Sequence, residues 1–171
     1  MTKKTVLLSL ISLIFMIYSQ NVFSNEFAHT LDDSNVKFSW TLEENTLHVQ
    51  LSAKTTGWVA IGFNPEKVMK DSNIIMGYVK NGKVKLTDHF GTSDRGHEDD
   101  TKIGGTSDIT DEMGKEEGDI TELSFKIPLN SGDSYDKIIN PGKNIVMLAH
   151  GSGRDSFKSV HEYRGLYEID L

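Results

Sequence analysis

Short runs in which apolar and polar residues alternate are the feature of this sequence that most restricts its fold. Apolar residues occupy every second position in 36–42 and again in 47–51. A period of two places successive side chains on opposite faces of an extended chain, so both segments are predicted to be half-buried strands. Residues 58–63 are apolar almost throughout, which is typical of a central strand that is buried on both faces.

Turn signals separate these runs and favour antiparallel pairing. Asn81-Gly82 stands between the strand-like segments 73–79 and 83–90, and this dipeptide supplies the positive φ values of a tight two-residue hairpin. Further strands are predicted over 120–127, 145–150 and 165–171.

The remaining segments are predicted to be connections. Residues 25–35 are interpreted as a loosely held polar lead-in, and 130–140 as a loop with a helical turn near Tyr135. Because no segment keeps a helical period, the sequence predicts an all-β fold, an antiparallel β-sandwich of immunoglobulin-like type.

The N-terminus has the organisation of a secretory signal peptide. Lys3 and Lys4 precede an apolar run over 6–18, and Val22-Phe23-Ser24 follows. The run is shorter than the roughly 20 residues of a membrane-spanning helix, so no stable membrane anchor is expected. We therefore expect residues 1–24 to be removed and 25–171 to form one domain that is periplasmic or secreted.

The chain contains no cysteine. Disulfide stabilisation, a lipid anchor on cysteine and thioether attachment of haem are therefore all excluded. Stability must come from core packing, from a bound ligand, or from both.

The charge balance restricts the partners. Removing Lys3 and Lys4 from 18 basic residues leaves 16 against 25 acidic residues, a net charge of about −9. This charge opposes binding to nucleic acid or to anionic lipid. A redox partner protein, basic in charge, is compatible with it.

Residues 91–108 are rich in Gly, Asp, Ser and Thr, and their length indicates a functional or ligand-covering loop. Together with Asp88 and His89, the segment from His97 to Asp100 could bind a divalent metal. A solvated acidic loop is the preferred interpretation, because the spacing fits no defined calcium loop. A metal enzyme using His89 and His97 is a third hypothesis, which requires metal to copurify without haem. No nucleophile elbow occurs, and an enzyme is not expected.

Four segments carry a resemblance to a known family: 57–64, 69–77, 82–90 and 161–165. In this order they resemble the DOMON family, a haem- and sugar-binding sandwich known from dopamine β-monooxygenase-like proteins and from the cytochrome domain of cellobiose dehydrogenase. With residues 125–136 they cover nearly the whole chain after the signal peptide.

The resemblance implies a non-covalent b-type haem with Met69 and His161 as its axial metal ligands. Asp71 stands where glycine is usual in the family, which affects the shape of the loop after Met69. A haem iron held by a thioether and an imidazole has no open position and a raised potential. The implied function is single-electron transfer; the alternative is a haem-free module that binds a sugar or another small ligand.

Several other residues are alternative iron ligands or could contact the haem. Met76 and His150 are alternative ligands; Met76 is more typical of core packing, and His150 ends an apolar strand. Arg154 and Arg164 could pair with haem propionates or remain surface charges. Four aromatic residues could pack on the porphyrin or belong to the core: Trp58, Phe63, Phe90 and Phe157.

Overall fold

The computed structural model describes residues 27–171. In that range the chain forms eleven strands and one helical turn. The strands are β1 His29–Asp32, β2 Val36–Glu43, β3 Thr46–Ala53, β4 Val59–Phe63, β5 Asn73–Lys80, β6 Lys83–Ser93, β7 Gly96–Asp99, β8 Thr110–Glu117, β9 Ile120–Pro128, β10 Lys143–Gly151 and β11 His161–Asp170. Helix α1 covers Asp100–Ile103. The predicted signal peptide, 1–24, lies outside the described residues.

The strands form two antiparallel sheets. Sheet A has the order β1-β2-β3-β9-β8, and sheet B has the order β11-β10-β4-β5-β6-β7. Each strand pairs antiparallel with its neighbours. The predicted antiparallel β-sandwich is therefore confirmed.

The alternating segments form strands because alternation lets one face be buried. In β9, four buried residues alternate with partly exposed ones. In β4, every residue is buried, because this strand lies between β10 and β5 and is covered on both faces. The core between the sheets contains the largest fully buried side chains, among them Phe38, Phe63, Phe125, Leu47, Leu51, Ile61, Ile75 and Leu123.

The hairpin at Asn81-Gly82 is confirmed. The two residues connect β5 to β6 with φ values of 52° and 71°, in the left-handed region that asparagine and glycine adopt most easily. Lys80 pairs with Lys83 directly beside the turn, so the turn sets the register of both strands.

The connections were predicted less well. Residues 25–35 include β1, which pairs with β2. The 91–108 loop contains β7 and α1, and β8 follows where no strand was predicted. The last strand begins at His161, four residues before its predicted start. Around Tyr135 the chain turns but forms no helix.

None of the helices between residues 27 and 171 has the length and apolar character needed to cross a membrane.

Candidate functional site

Sheet B carries a second apolar cluster on the face that points away from sheet A, which we call the outer face. Ala60 of β4 lies opposite Ala149 of β10 and Met76 of β5. Trp58, Ala60 and Met76 form a buried cluster that is separate from the main core, and the partly buried Ala149 and Phe157 pack against it. An antiparallel sheet commonly exposes one polar face to water. Here the centre of the outer face, formed by β4, β5 and β10, is apolar as well.

Two residues further along β4, the next set of paired residues on the outer face also has a small residue at its centre. Gly62 of β4 lies opposite Met147 of β10 and Ile74 of β5. A β-carbon on Gly62 would be 2.5 Å from the Cε of Met147, so the Met147 side chain lies across the glycine. Ala60, Gly62 and Ala149 thus form a floor of small side chains, partly covered by one flexible thioether.

Trp58 joins the start of β4 to the connection between β10 and β11. Its indole Nε1 donates a hydrogen bond of 2.9 Å to Ser159 Oγ. A β-carbon on Gly151 would be 2.4 Å from the same Nε1, so the ring packs directly over the Gly151 backbone. Two of the four aromatic residues considered from the sequence, Trp58 and Phe157, are therefore together on the outer face.

His161 is the first residue of β11 and pairs with Gly151. The Gly151 N–H donates to the Trp58 carbonyl, which places His161 at the Trp58 end of β4. Partial burial and the nearby Arg164 charge lower the pKa of His161 below its usual range. The imidazole is therefore neutral at pH 7, as a metal ligand must be.

Met69 lies in the connection between β4 and β5, at the other end of β4. Its carbonyl accepts hydrogen bonds from the N–H and the hydroxyl of Ser72, while Asp71 N–H donates to the Gly91 carbonyl. β4 has five residues, so its two ends are roughly 14 Å apart along the extended chain. The structure therefore does not bring Met69 and His161 side by side; they flank the outer face from opposite ends.

The other candidate residues are distributed over both sides of sheet B. His150 shares the inward-facing row of β10 with Leu148, stacks on Tyr163 at 5.7 Å and donates through Nδ1 to the Gly151 carbonyl. Phe90 contacts the Tyr135 ring at 5.7 Å, away from Trp58.

Phe63 belongs to the main core. Arg154 is exposed in the β10–β11 connection, and Arg164 is exposed opposite Ala149. Of the two arginines, Arg164 lies beside the outer face.

A pair of histidines, His89 of β6 and His97 of β7, lies at the edge of the outer face. The Nδ1 atoms of His89 and His97 are 3.1 Å apart, and Phe157 contacts the His89 ring at 6.0 Å. Burial, followed by the His97 charge, lowers the pKa of His89 to about 4. Burial also lowers the pKa of His97. Both imidazoles are therefore neutral at pH 7 and share one proton in a hydrogen bond.

The acidic segment is not the solvated loop that the sequence favoured. Asp88 is 3% exposed and Asp100 is 0% exposed. Burial, followed by the charge of Asp136, raises the pKa of Asp88 to about 8 and that of Asp100 to about 7. Asp88 occupies the inward-facing row of β6, and the period-two pattern that places Leu86 and Phe90 inward could have revealed it.

Comparison of the sequence with known proteins identifies a matching family and several relatives with moderate sequence identity. The DOMON domain family model matches residues 32–151. The chain is 28% identical over 123 residues to human DBH-like monooxygenase protein 1, covering 71% of this chain and 19% of that protein. It is 29% identical over 130 residues to human putative DBH-like monooxygenase protein 2, covering 73% and 25%. The chain thus spans about a fifth to a quarter of the length of these relatives.

Two solved structures share the fold. The cytochrome b domain of pyranose dehydrogenase from Coprinopsis cinerea aligns with a TM-score of 0.62 and 11% identity, covering 82% of this chain and 78% of that one. The cytochrome domain of Myriococcum thermophilum cellobiose dehydrogenase aligns with a TM-score of 0.62 and 12% identity, covering 84% and 81%. Because the family model matches most of the chain and these neighbours have the same sandwich, the chain belongs to the DOMON domain family.

Proposed function

We propose that this protein is a haem-binding module that holds a b-type haem without a covalent bond and transfers single electrons. The observation that carries the proposal is the apolar outer face of sheet B. Its floor of small side chains, Ala60, Gly62 and Ala149, is flanked by Met69 at one end and by His161 at the other.

The small side chains favour a flat apolar ligand on this face. Larger side chains at these positions would fill the space above the sheet, whereas alanine and glycine leave room for the edge of a macrocycle. Met147, the side chain that lies over Gly62, is unbranched and flexible, so it can move aside. Trp58 and Phe157 would line the side of such a ligand.

Met69 and His161 are the proposed axial ligands, reaching over the outer face from its two ends. When bound, a haem with thioether and imidazole ligands supplies a one-electron couple with a raised potential. The neutral state of His161 leaves a ring nitrogen free to ligate. Arg164, in the row of Ala149, would neutralise a propionate.

The two structural neighbours are cytochrome domains, and this supports the same proposal. We infer that the protein acts without catalysis of its own and passes electrons to a partner protein. The net charge of the whole chain is −7, which suits a partner with a basic surface.

An absorbance spectrum of protein purified from a haem-replete host tests the proposal. We expect a red protein with a sharp low-spin spectrum on reduction, and stoichiometric recovery of that spectrum when haemin is added to protein stripped of haem. A colourless protein that binds no added haemin contradicts the proposal. It would favour the haem-free alternative, for which sugar titration is the next measurement.

We also propose export to the periplasm or the medium, because Lys3, Lys4 and the apolar run 6–18 have the order of a signal peptide. Mass spectrometry of the exported protein is expected to give a chain that begins near Asn25. An intact Met1 on exported protein would refute the cleavage.

A further inference from the structure

Three carboxylates from distant parts of the chain meet at the end of sheet B, on the side of sheet A. Asp88 belongs to β6, Asp108 precedes β8, and Asp136 lies in the connection between β9 and β10. One carboxylate oxygen from each residue lies within 4.8 Å of the others. Asp88 is deeply buried, and Asp108 and Asp136 are half-buried.

A second observation shows that this group lacks a partner. Asp88 is 3% exposed, and its Oδ1 has no hydrogen-bond partner among the described residues. Asp100 is fully buried next to the group, and neither of its carboxylate oxygens has a partner there. A buried carboxylate without compensation is unfavourable, and a bound cation would compensate the two groups with unpartnered oxygens, Asp88 and Asp100.

The surrounding groups donate hydrogen bonds to Asp108, to Asp136 and to one oxygen of Asp88, but among the described residues no donor reaches Asp88 Oδ1 or the Asp100 carboxylate. Thr106 Oγ1 donates to Asp108 Oδ2 at 3.2 Å. Asp108 N–H donates to Asp88 Oδ2 at 3.3 Å, and Asn73 Nδ2 donates to Asp136 Oδ1 at 2.9 Å. The Oδ1 of Asn73, 6% exposed, is itself buried without a partner. An additional amide oxygen is therefore available beside the three carboxylates.

We propose that Asp88, Asp108 and Asp136 bind a calcium ion, with the Asp100 carboxylate and the Asn73 amide oxygen as further oxygen groups around it. All of these atoms are hard oxygen donors, which calcium prefers. Two oxygens on opposite sides of one calcium ion, at about 2.4 Å from it, are about 4.8 Å apart. The observed separations fit this limit. Thiolate and imidazole, the ligands that favour zinc or copper, do not occur in the group.

The ion would tie together three segments that the sandwich alone leaves weakly connected. The 94–109 segment contains the short strand β7, α1 and a chain without regular structure, and the 129–142 connection has no strand. Both contribute ligands that would meet β6 at the ion. Calcium would thus act on stability and on the order of these two connections, independently of haem on the outer face.

Thermal unfolding of the full protein, stripped with EDTA and then supplied with CaCl₂ at about 1 mM, tests the site. We expect calcium to raise the melting temperature by several degrees and to bind with one-to-one stoichiometry in isothermal titration. Asp108→Asn and Asp136→Asn should each weaken calcium binding at least tenfold. In EDTA, both variants should melt at or above the wild-type temperature, because each removes a repelling charge.

Asp119→Asn is the matched control, since Asp119 is exposed and pairs with Lys54 at 3.4 Å. It should retain the full response to calcium. The proposal is overturned if calcium neither binds the wild type nor raises its melting temperature, or if both cluster variants respond as the control does. An equal response to MgCl₂ overturns the assignment of calcium. If either cluster variant fails to fold, titration of the wild type still decides.

Discussion

The carbonyl oxygen of Met69 lies 1.6 Å from the position that a β-carbon on Gly91 would occupy. Only glycine allows the β4–β5 connection to approach β6 this closely. Two hydrogen bonds reinforce the contact: Asp71 N–H donates to the Gly91 carbonyl, and Gly91 N–H donates to the Ser72 carbonyl. The position of the proposed ligand Met69 is therefore set by a residue on another strand.

Gly91→Ala is expected to displace the Met69 loop while it leaves the thioether in the chain. Overpacking of this kind typically costs about 1–3 kcal/mol in the free energy of unfolding, and haem affinity should fall with it. Denaturant unfolding and haemin titration measure the two effects. Gly96→Ala is the control, because its added β-carbon would meet only hydroxyl groups of flexible side chains. Unchanged stability and haem affinity in Gly91→Ala would contradict the role of Gly91 in setting the position of Met69.

Replacing each proposed ligand by alanine should change the haem spectrum in a different way. His161→Ala is expected to lose most haem or to convert it to a high-spin form, because imidazole is the stronger ligand. Met69→Ala should retain haem, but lose the near-infrared sulfur-to-iron band and have a lower reduction potential. Optical spectra and redox titration measure both effects.

Met76→Leu and His150→Gln are the controls for the ligand variants. Met76 belongs to the outer-face cluster, and His150 stacks on Tyr163, so each should affect stability and leave the low-spin spectrum intact. A low-spin spectrum that is lost in His150→Gln and kept in His161→Ala would refute the ligand assignment.

Haem loading should raise the melting temperature, because a ligand that binds only the folded state stabilises it by mass action. At a free haem concentration of 100 times Kd, the gain is about 2.7 kcal/mol. Calorimetric scans of haem-free and haem-loaded protein measure it. Equal melting temperatures with haemin in excess would show that the fold has no haem site.

The histidine pair should destabilise the protein in acid. The pKa of His89 in the folded state, about 4, lies below the usual histidine pKa of 6.5, so protonation favours the unfolded state. The contribution of neutral His89 to the free energy of unfolding is fully present above pH 6.5. It is lost as the pH falls toward 4, by an amount on the order of 3 kcal/mol. Thermal scans in calcium from pH 7 to pH 5 should show a smaller loss in His89→Gln than in the wild type. Equal slopes would refute the role of His89.

The buried carboxylates should have the opposite effect in EDTA. The pKa values of Asp88, Asp100 and Asp136 in the folded state, about 8, 7 and 6, lie above the usual aspartate pKa of 3.8. Ionisation therefore destabilises the fold, and this contribution worsens as the pH rises from 4 to 8. In His89→Gln, which lacks the competing histidine, the melting temperature in EDTA should fall over this range, and calcium should flatten the fall. A flat profile in EDTA would contradict the burial of these groups.

The strands that the sequence predicted well are those with their own pattern of burial. β2, β3 and β9 alternate, and β5 and β6 are joined by a turn whose residues demand positive φ. In each case local sequence and tertiary packing favour the same conformation. The fold class follows from these elements alone.

The elements that were not predicted depend on their partners. β8 is exposed at seven of its eight residues and has no apolar alternation, so it forms a strand because β9 offers it backbone hydrogen bonds. β1 is likewise held by β2. The local sequence pattern cannot predict a strand that forms only because a neighbouring strand offers it backbone hydrogen bonds.

The candidate sites divide in the same way. The resemblance named Met69 and His161, but the sequence could not show that they flank one apolar face from opposite ends, because strand order decides this. The inward position of Asp88 could be predicted from the period-two pattern of β6. Its meeting with Asp108 and Asp136 depends on long-range topology, which no local pattern contains.

The strand order of sheets A and B also bears on how copies of this protein meet. Backbone N–H and C=O groups at the open edge of a sheet are a template on which a neighbour's strand can add. β8 forms one such edge, and its exposed residues include Asp111, Glu112, Glu116 and Glu117. At another edge, β11 exposes Glu162, Glu168 and Asp170 around Arg164. Two molecules that approach by like edges therefore bring like charges together, and this repulsion opposes the addition of one molecule's strand to the other's sheet.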